Sequence, residues 1–203
     1  MNIDHFDPET HVYTRNGVRV WSCTQVLEGM GLVNHEGIPA RVLENARTRG
    51  EAVDNAITDL EFGCHASGEE LTGEYEARVN AWRRFRREVP LKIVRMQSWK
   101  IVEISVEGFS YLYGVTPDVE AILDGRPVVI DVKNTYSEEK SHRIQTAAQA
   151  DTYFDPERVR RFCIYLKDDG TYKLKEHTDE RDRHRWRMLL AAHEERRIYL
   201  EGK

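Results

Sequence analysis

Two aspartates and a lysine in the second half of the chain could do chemistry together. Asp131 and Lys133 end an apolar run that begins at Val128, and Asp118 lies upstream of it. The run is rich in β-branched residues, which favour a strand. Because side chains alternate across a strand, the carboxylate of Asp131 and the amine of Lys133 share one face.

The dipeptide Asp124-Gly125, which lies between the two aspartates, is typical of a tight β-hairpin turn. If the loop has two residues, counting outward places Asp118 directly opposite Asp131. If the loop has four residues, Asp118 faces Lys133 and Asp131 is its diagonal neighbour. Either register brings the same three groups together.

Opposed carboxylates need a cation between them, or one of them must stay protonated. Asp118, Asp131 and the backbone oxygen of Val132 suit Mg²⁺ or Mn²⁺, which favour oxygen ligands. Such a metal would acidify a water and neutralise a phosphate oxygen, while Lys133 would position that water or stabilise developing charge. This set predicts phosphodiester hydrolysis. The alternative is a surface hairpin whose Asp–Lys pair does no chemistry.

The residues around this set resemble the PD-(D/E)XK nuclease superfamily. Pro117-Asp118, then twelve residues, then Asp131-Val132-Lys133 match its motif, including both the proline and the lysine. Residues 113–118 are similar to the glycine-containing segment of RecB-type and phage exonuclease-type members, and residues 22–27 are similar to an N-terminal segment of phage relatives. The resemblance implies an α/β fold with a restriction-endonuclease-like core, a mixed central β-sheet flanked by helices.

The resemblance implies further site residues in the first half of the chain. Glu103 stands where such nucleases carry another active-site glutamate; Glu107 would share its strand face, and the spacing favours Glu103. Residues 49–54 resemble the R-G-x-x-x-H helix motif, which implies a nucleic-acid contact for Arg49 and a metal ligand at Asp54, in place of the histidine. The alternative is that Asp54 is simply a polar helix residue.

A glutamine-bearing helix follows the catalytic strand in these nucleases, and residues 142–149 resemble it. Gln145 takes the position of the family glutamine as a catalytic residue, with Gln149 where the motif has a tyrosine. Shifted by one turn, Gln149 and Tyr153 fit the motif literally, and we expect both to contact nucleic acid. Gln145, Gln149 and Tyr153 are spaced by four residues, so one helix face can carry all three.

A basic stretch also indicates a nucleic-acid partner. Residues 78–100 contain eight Lys or Arg residues and one acidic residue, Glu88. Arg83, Arg84 and Arg87 would contact the phosphate backbone, and a solvated helix face is the alternative. The net charge of −5 does not by itself indicate a nucleic-acid binder.

The expected function is therefore a Mg²⁺- or Mn²⁺-dependent DNA nuclease, an exonuclease of DNA recombination, repair or phage DNA processing. The alternative is a non-catalytic nucleic-acid- or protein-binding module that retains the fold; the intact Asp118, Asp131 and Lys133 favour the nuclease. DNA is the expected partner. The resemblance leaves open a homo-oligomer and a recombination partner protein.

The elements that must position these residues follow from local patterns. Asn16-Gly17 predicts a hairpin near the N-terminus, and Ser22 with Gln25 predicts a capped short helix. Helical spacing predicts a longer helix after Pro39, interrupted at Gly50.

Further along the chain the period of the apolar residues changes from helical to strand-like and back. We expect a helix over 74–89, strands over 91–106, 109–123 and 128–132, a helix over 138–154, a hairpin over 160–176 and a helix over 177–200.

The composition, 40% apolar and 32% charged, is typical of a globular protein, and we expect a single domain over 1–203. No apolar run of about 18 residues predicts a membrane span. The N-terminus lacks the pattern of a signal peptide, so the expected location is the cytoplasm of a bacterium or a phage-infected host. Cys23, Cys64 and Cys163 are too scattered for a cluster, so no iron–sulfur cofactor is expected.

Overall fold

The structure is a computed structural model that describes residues 2–63, 73–135 and 137–201. Cys64 lies outside the described residues. The strands are β1 (Asp4–Asp7), β2 (Val12–Arg15), β3 (Val18–Val20), β4 (Lys92–Met96), β5 (Lys100–Val106), β6 (Phe109–Val115), β7 (Val119–Leu123), β8 (Arg126–Lys133), β9 (Arg160–Leu166) and β10 (Tyr172–Glu176). The helices are α1 (Cys23–Gly29), α2 (Ala40–Phe62), α3 (Glu74–Glu88), α4 (Lys140–Ala150) and α5 (Arg181–Glu201).

The five-stranded sheet carries the residues of interest. Its strand order is β10-β9-β8-β7-β4, in which β8 and β9 run parallel and the other neighbours run antiparallel. This mixed sheet with flanking helices confirms the expected α/β class.

The two faces of that sheet pack against different helices. One face joins buried side chains of α2 and α3 in the main apolar core; its residues on β7 and β8 are Val119, Ala121, Leu123, Val128, Ile130 and Val132. By alternation, the other face carries Asp118, Asp131 and Lys133. There Val129 packs against Ala150 at the end of α4. The candidate residues therefore lie between the sheet and α4.

The N-terminal predictions are confirmed. A hairpin joins β2 to β3, with Asn16 and Gly17 at positive φ of 53° and 77°. Ser22 caps α1, and Gln25 completes the capping box by accepting from the Ser22 amide. A further strand, β1, which the sequence did not predict, pairs with β2.

The predicted strand over 91–106 is two strands, because Gln97 has a left-handed φ of 48° that breaks the extended chain. The predicted strand over 109–123 is also two, broken at Pro117. These breaks separate β5 and β6 as a two-stranded sheet of their own. Gly50 does not interrupt α2, so that prediction is wrong, and the helix ends at Gly63, which has a left-handed φ of 66°.

The β5–β6 sheet is joined to the N-terminal hairpin through Gly114. Its amide donates to the Trp21 carbonyl at 2.8 Å. A Cβ at this position would lie 2.2 Å from Cγ of Tyr13, so only glycine admits the ring. Tyr13 Oη in turn lies 2.6 Å from Thr116 Oγ1, two residues before Asp118. The close approach therefore fixes the segment that leads into β7.

The helices in the described part of the chain include none that is long and apolar enough to cross a membrane.

Candidate active site

The β7–β8 hairpin has the two-residue loop. Asp124 and Gly125 have positive φ of 52° and 73°, as a type I′ turn requires. Leu123 pairs with Arg126, and the ladder runs outward to Val119 opposite Ile130. The next residues outward are Asp118 and Asp131, so of the two registers the one with opposed carboxylates is confirmed.

The two strands separate where the aspartates begin. Asp118 Oδ2 accepts a hydrogen bond of 2.7 Å from the Val132 amide, and this side-chain bond continues the contact between the strands beyond the last backbone pair. The amide and carbonyl of one strand residue point to the same edge. The Val132 carbonyl is therefore directed toward the Asp118 side, where the sequence analysis expected a metal ligand.

Helix α4 fixes the orientation of Asp131 and Lys133. Lys133 Nζ lies 2.6 Å from Asp131 Oδ2 and donates to Gln145 Oε1 at 3.0 Å. Gln149 Nε2 donates to Asp131 Oδ1 at 3.0 Å. The two glutamines are one helical turn apart, so a single face of α4 holds both charged groups.

The expected nucleic-acid contact of Gln149 is wrong. Its side chain is fully buried, with 0% exposed, and its amide is bonded to Asp131. The cause is that the face of α4 that carries Gln145 and Gln149 packs against the sheet. Gln149 positions Asp131 and lies out of reach of a bound strand. Tyr153 lies beyond the end of α4, half-buried against Val129 and Ala150.

Helix α2 brings Asp54 and Arg49 to the end of β8. Both line a cleft of about 490 Å³ together with Ala46, Gly50, Arg78, Val132, Asn134, Thr135 and Asp168. A Cβ added at Gly50 would lie 4.0 Å from Asn134 Nδ2, which is an ordinary van der Waals distance. Gly50 therefore approaches the segment after β8 without a steric need for glycine. The R-G-x-x-x-D segment thus faces Val132 of the D-x-K run and the two residues Asn134 and Thr135 just after the run.

The acids crowd one another electrostatically. Burial, followed by the charges of Asp118 and Asp131, raises the pKa of Asp54 to about 8. Burial and then the charge of Asp131 raise the pKa of Asp118 to about 7. Burial alone would lower the pKa of Lys133, but the charges of Asp131 and Asp118 raise it, so the amine stays protonated. The ammonium of Lys133 thus faces three carboxyl groups, and the guanidinium groups of Arg49 and Arg78 line the same cleft as Asp54.

This charge distribution fits a divalent cation. Asp54 Oδ1 is buried and, among the described residues, accepts no hydrogen bond. Asp118 and Asp131 supply the hard oxygen atoms that Mg²⁺ and Mn²⁺ prefer. Within the described ranges, no three His, Cys, Asp or Glu side chains already converge as a metal site. The fit therefore rests on the carboxylate pair and the nearby Val132 carbonyl, with Asp54 next to them.

Glu103 is not brought to this cluster. It lies on β5 with 54% of its side chain exposed, accepts from Ser110 Oγ, and pairs with Arg15 at 3.3 Å. The breaks at Gln97 and Pro117 place its hairpin in another sheet. The spacing between Glu103 and Asp118 along the chain suggested that the two side chains are close, but the sheet topology separates them.

Glu120 is the acid that the sequence analysis missed. It lies two residues after Asp118, opposite Val129, and hence on the Asp131 face of the sheet. It is 4% exposed and pairs with Lys100. Burial, followed by the charge of Glu120, raises the pKa of Tyr153. The signal was present in the sequence, because alternation alone puts positions 118 and 120 on one face.

Gln97 is a second missed residue. Its amide donates to the Asp118 carbonyl at 3.0 Å, and its side chain donates to Asp118 Oδ1 at 3.4 Å. No motif marks this glutamine, and its position depends on the left-handed turn after β4.

The basic residues Arg83, Arg84 and Arg87 are exposed on α3. Arg83 bonds Asn80 and Arg84 bonds Glu88 along the same helix. Because α3 packs on the sheet face opposite that of Asp131, these side chains do not join the cluster.

Comparisons with known proteins add little to this picture. No family model matches the sequence, and no curated protein matches it. The solved structure named SSO0001 is similar with a TM-score of 0.40 and 13% identity, over 76% of this chain and 85% of that chain. A likeness this weak assigns neither a family nor a chemistry.

Proposed function

We propose that this protein is a metal-dependent deoxyribonuclease of the PD-(D/E)XK type, with a restriction-endonuclease-like core. The observation that carries the proposal is the facing pair Asp118 and Asp131, with the amine of Lys133 held on the same face. By the family resemblance, the activity is that of an exonuclease in DNA recombination, repair or phage DNA processing in the cytoplasm. A homo-oligomer and a recombination partner remain part of the proposal.

The proposed metal ligands are Asp118, Asp131, the Val132 carbonyl and Asp54. When bound, Mg²⁺ or Mn²⁺ would supply an acidified water and neutralise charge on the scissile phosphate. The carboxylates must be ionised to bind the cation, and because the pKa values of Asp54 and Asp118 are raised to about 8 and about 7, metal binding at neutral pH would displace protons from them.

Lys133 has a separate task. Two of its three N–H donors are directed to Asp131 and Gln145, which leaves one for the substrate. That donor would hold a phosphate oxygen and stabilise the negative charge that builds up during hydrolysis. The hydrogen bond to Gln145 would fix the orientation of the Lys133 ammonium, and the hydrogen bond from Gln149 would fix that of the Asp131 carboxylate.

The test is incubation of linear DNA with the protein and Mg²⁺ or Mn²⁺, beside Lys133→Ala. We expect metal-dependent loss of DNA and a rate at least roughly 100-fold lower for the variant. Lys140→Ala, an exposed lysine of α4, is the matched control and should cleave as the wild type does. The proposal is wrong if no metal-dependent cleavage occurs or if Lys133→Ala cleaves equally. DNA binding without cleavage would favour the non-catalytic module.

A further inference from the structure

A second groove lies beside β4, the last strand of the five-stranded sheet. It has a volume of about 460 Å³ and is lined by Phe62, Val94, Arg95, Met96, Ser98 and Trp99. Among the described residues, this lining contains one cation, Arg95, and no acid. Phe62 and Trp99 expose 55% and 39% of their surface. Clustered exposed apolar side chains beside a charge are typical of a binding surface.

The backbone that carries Phe62 and the ring of Trp99 are both anchored by neighbouring residues. Glu61, next to Phe62, accepts hydrogen bonds from Trp82 Nε1 at 2.9 Å and Arg86 Nε at 2.8 Å, which ties the end of α2 to α3. The Trp99 ring packs against Phe6 in a tilted contact, with centroids 5.9 Å apart and an interplanar angle of 32°. The Trp99 ring is therefore packed in place, and Phe62 stands on a helix end that is tied to α3.

Phe6 also connects Trp99 to the segment before β7. Its ring stacks on Tyr13 with centroids 4.6 Å apart. The Tyr13 hydroxyl lies 2.6 Å from Thr116 Oγ1. A chain of aromatic contacts thus connects the groove to the residues that precede Asp118.

The strand end that lines the groove is bonded to Asp118. Gln97, between Met96 and Ser98, bonds Asp118 through both its amide and its side chain. Arg95 pairs across the strands with Glu120 and so lies on the Asp118 face of the sheet. A DNA strand bound over Trp99 and Arg95 would therefore lie next to Gln97, the residue that bonds Asp118.

The chemistry of the lining selects unpaired nucleotides. Aromatic planes bind the faces of bases, which are covered in a duplex and open in a single strand. A cation beside them matches the phosphates that link the bases. The described residues of the lining place no carboxylate against that backbone.

We propose that the Phe62–Arg95–Trp99 groove binds the unpaired bases of single-stranded DNA and directs that strand to Asp118. This inference rests on the proposed nuclease function. It specifies the substrate as DNA that has an unpaired segment.

The test measures binding rather than cleavage, in the presence of EDTA. The probes are oligodeoxythymidine of about 16 nucleotides, a length within the range of single-strand sites, and a blunt duplex of equal length. We expect wild type to bind the single strand more tightly, and Trp99→Ala to weaken that binding by roughly 5- to 150-fold. Duplex binding should not change. Quenching of tryptophan emission by the oligonucleotide should be lost in Trp99→Phe, which keeps an aromatic plane and most of the affinity.

Further variants keep the test decisive. Trp99→Leu retains apolar packing on Phe6 and replaces Trp99→Ala if that variant unfolds. Phe109→Ala removes an exposed aromatic of β6 and is the matched control. Unchanged single-strand affinity in the Trp99 variants, or equal losses for single strand and duplex, would overturn the inference. Absence of nuclease activity with Trp99-dependent binding intact would instead count only against the proposed hydrolysis.

Discussion

Gln149 donates a hydrogen bond from Nε2 to Asp131 Oδ1 over 3.0 Å, and both side chains are buried. This bond occupies one carboxylate oxygen and turns the other toward Lys133. A buried carboxylate without such a partner would be free to rotate and costly to ionise. The glutamine therefore determines how Asp131 is presented to a metal and to substrate.

Replacing Gln149 tests this positioning role. We expect Gln149→Leu to reduce the cleavage rate by about 10- to 100-fold, as loss of a group that orients a metal ligand typically does. The Mg²⁺ concentration for half-maximal rate should also rise. Steady-state rates over a metal titration measure both. A variant with a lowered Tm but an unchanged metal dependence would show that Gln149 is only part of the core.

Asp54 makes stability depend on pH when no divalent metal is present. Its folded pKa of about 8 exceeds the unfolded value of about 4, so the folded state binds more protons between these limits. The free energy of unfolding therefore falls as pH rises through that window. In Asp54→Asn this contribution is gone, and we expect Tm to fall less between about pH 5 and pH 9.

Thermal melts in EDTA, at a series of pH values, give the comparison. Added Mg²⁺ should raise the Tm of wild type most at the alkaline end, where Asp54 is ionised. Parallel Tm curves for wild type and Asp54→Asn would contradict the raised pKa.

The two glutamates provide a matched pair of substitutions. Glu103→Gln should leave the cleavage rate within about twofold of wild type, because the exposed side chain contacts only its own hairpin and Arg15. Glu120→Gln should lower both activity and Tm, since it leaves the Lys100 ammonium without its carboxylate on the Asp118 face. Cleavage rates and thermal melts of the two variants, measured side by side, show which glutamate supports the site. The reverse order of effects would restore Glu103 to the active site.

Gly114 tests how the approach to β7 is fixed. Gly114→Ala would place Cβ 2.2 Å from the Tyr13 ring, and we expect a loss of about 1–3 kcal/mol in the free energy of unfolding. Tyr13→Leu removes the ring, so the alanine should cost less in that background. Urea denaturation of the two single variants and the double variant gives the coupling. Additive losses would mean that the ring does not meet this position.

Local turn chemistry made the candidate pair predictable. The positive φ values of Asp124 and Gly125 define a two-residue loop, and strand alternation then fixes which side chains face one another. The sequence predicted the turn and the shared face but left two loop lengths open, and the φ values of the structure select the register in which Asp118 is opposite Asp131. Helical spacing likewise placed Gln145 and Gln149 on one face of α4.

The remainder depended on contacts between distant segments. Periodicity showed that Gln149 shares a face with Gln145, but not that this face packs on the sheet, so its burial was missed. Glu103 was misplaced because a single left-handed residue, Gln97, moves β5 out of the central sheet. Sequence spacing carries no information about such a break.

The most direct test of the account is the initial rate of Mn²⁺-dependent cleavage of a linear DNA with single-stranded tails by Asp118→Asn. Asp124→Asn, in the turn of the same hairpin, changes charge identically outside the cluster and is the control. We predict that Asp118→Asn lowers the rate by at least roughly 100-fold while the control cleaves as wild type does. Equal rates for wild type, Asp118→Asn and Asp124→Asn would contradict the assignment of the active site.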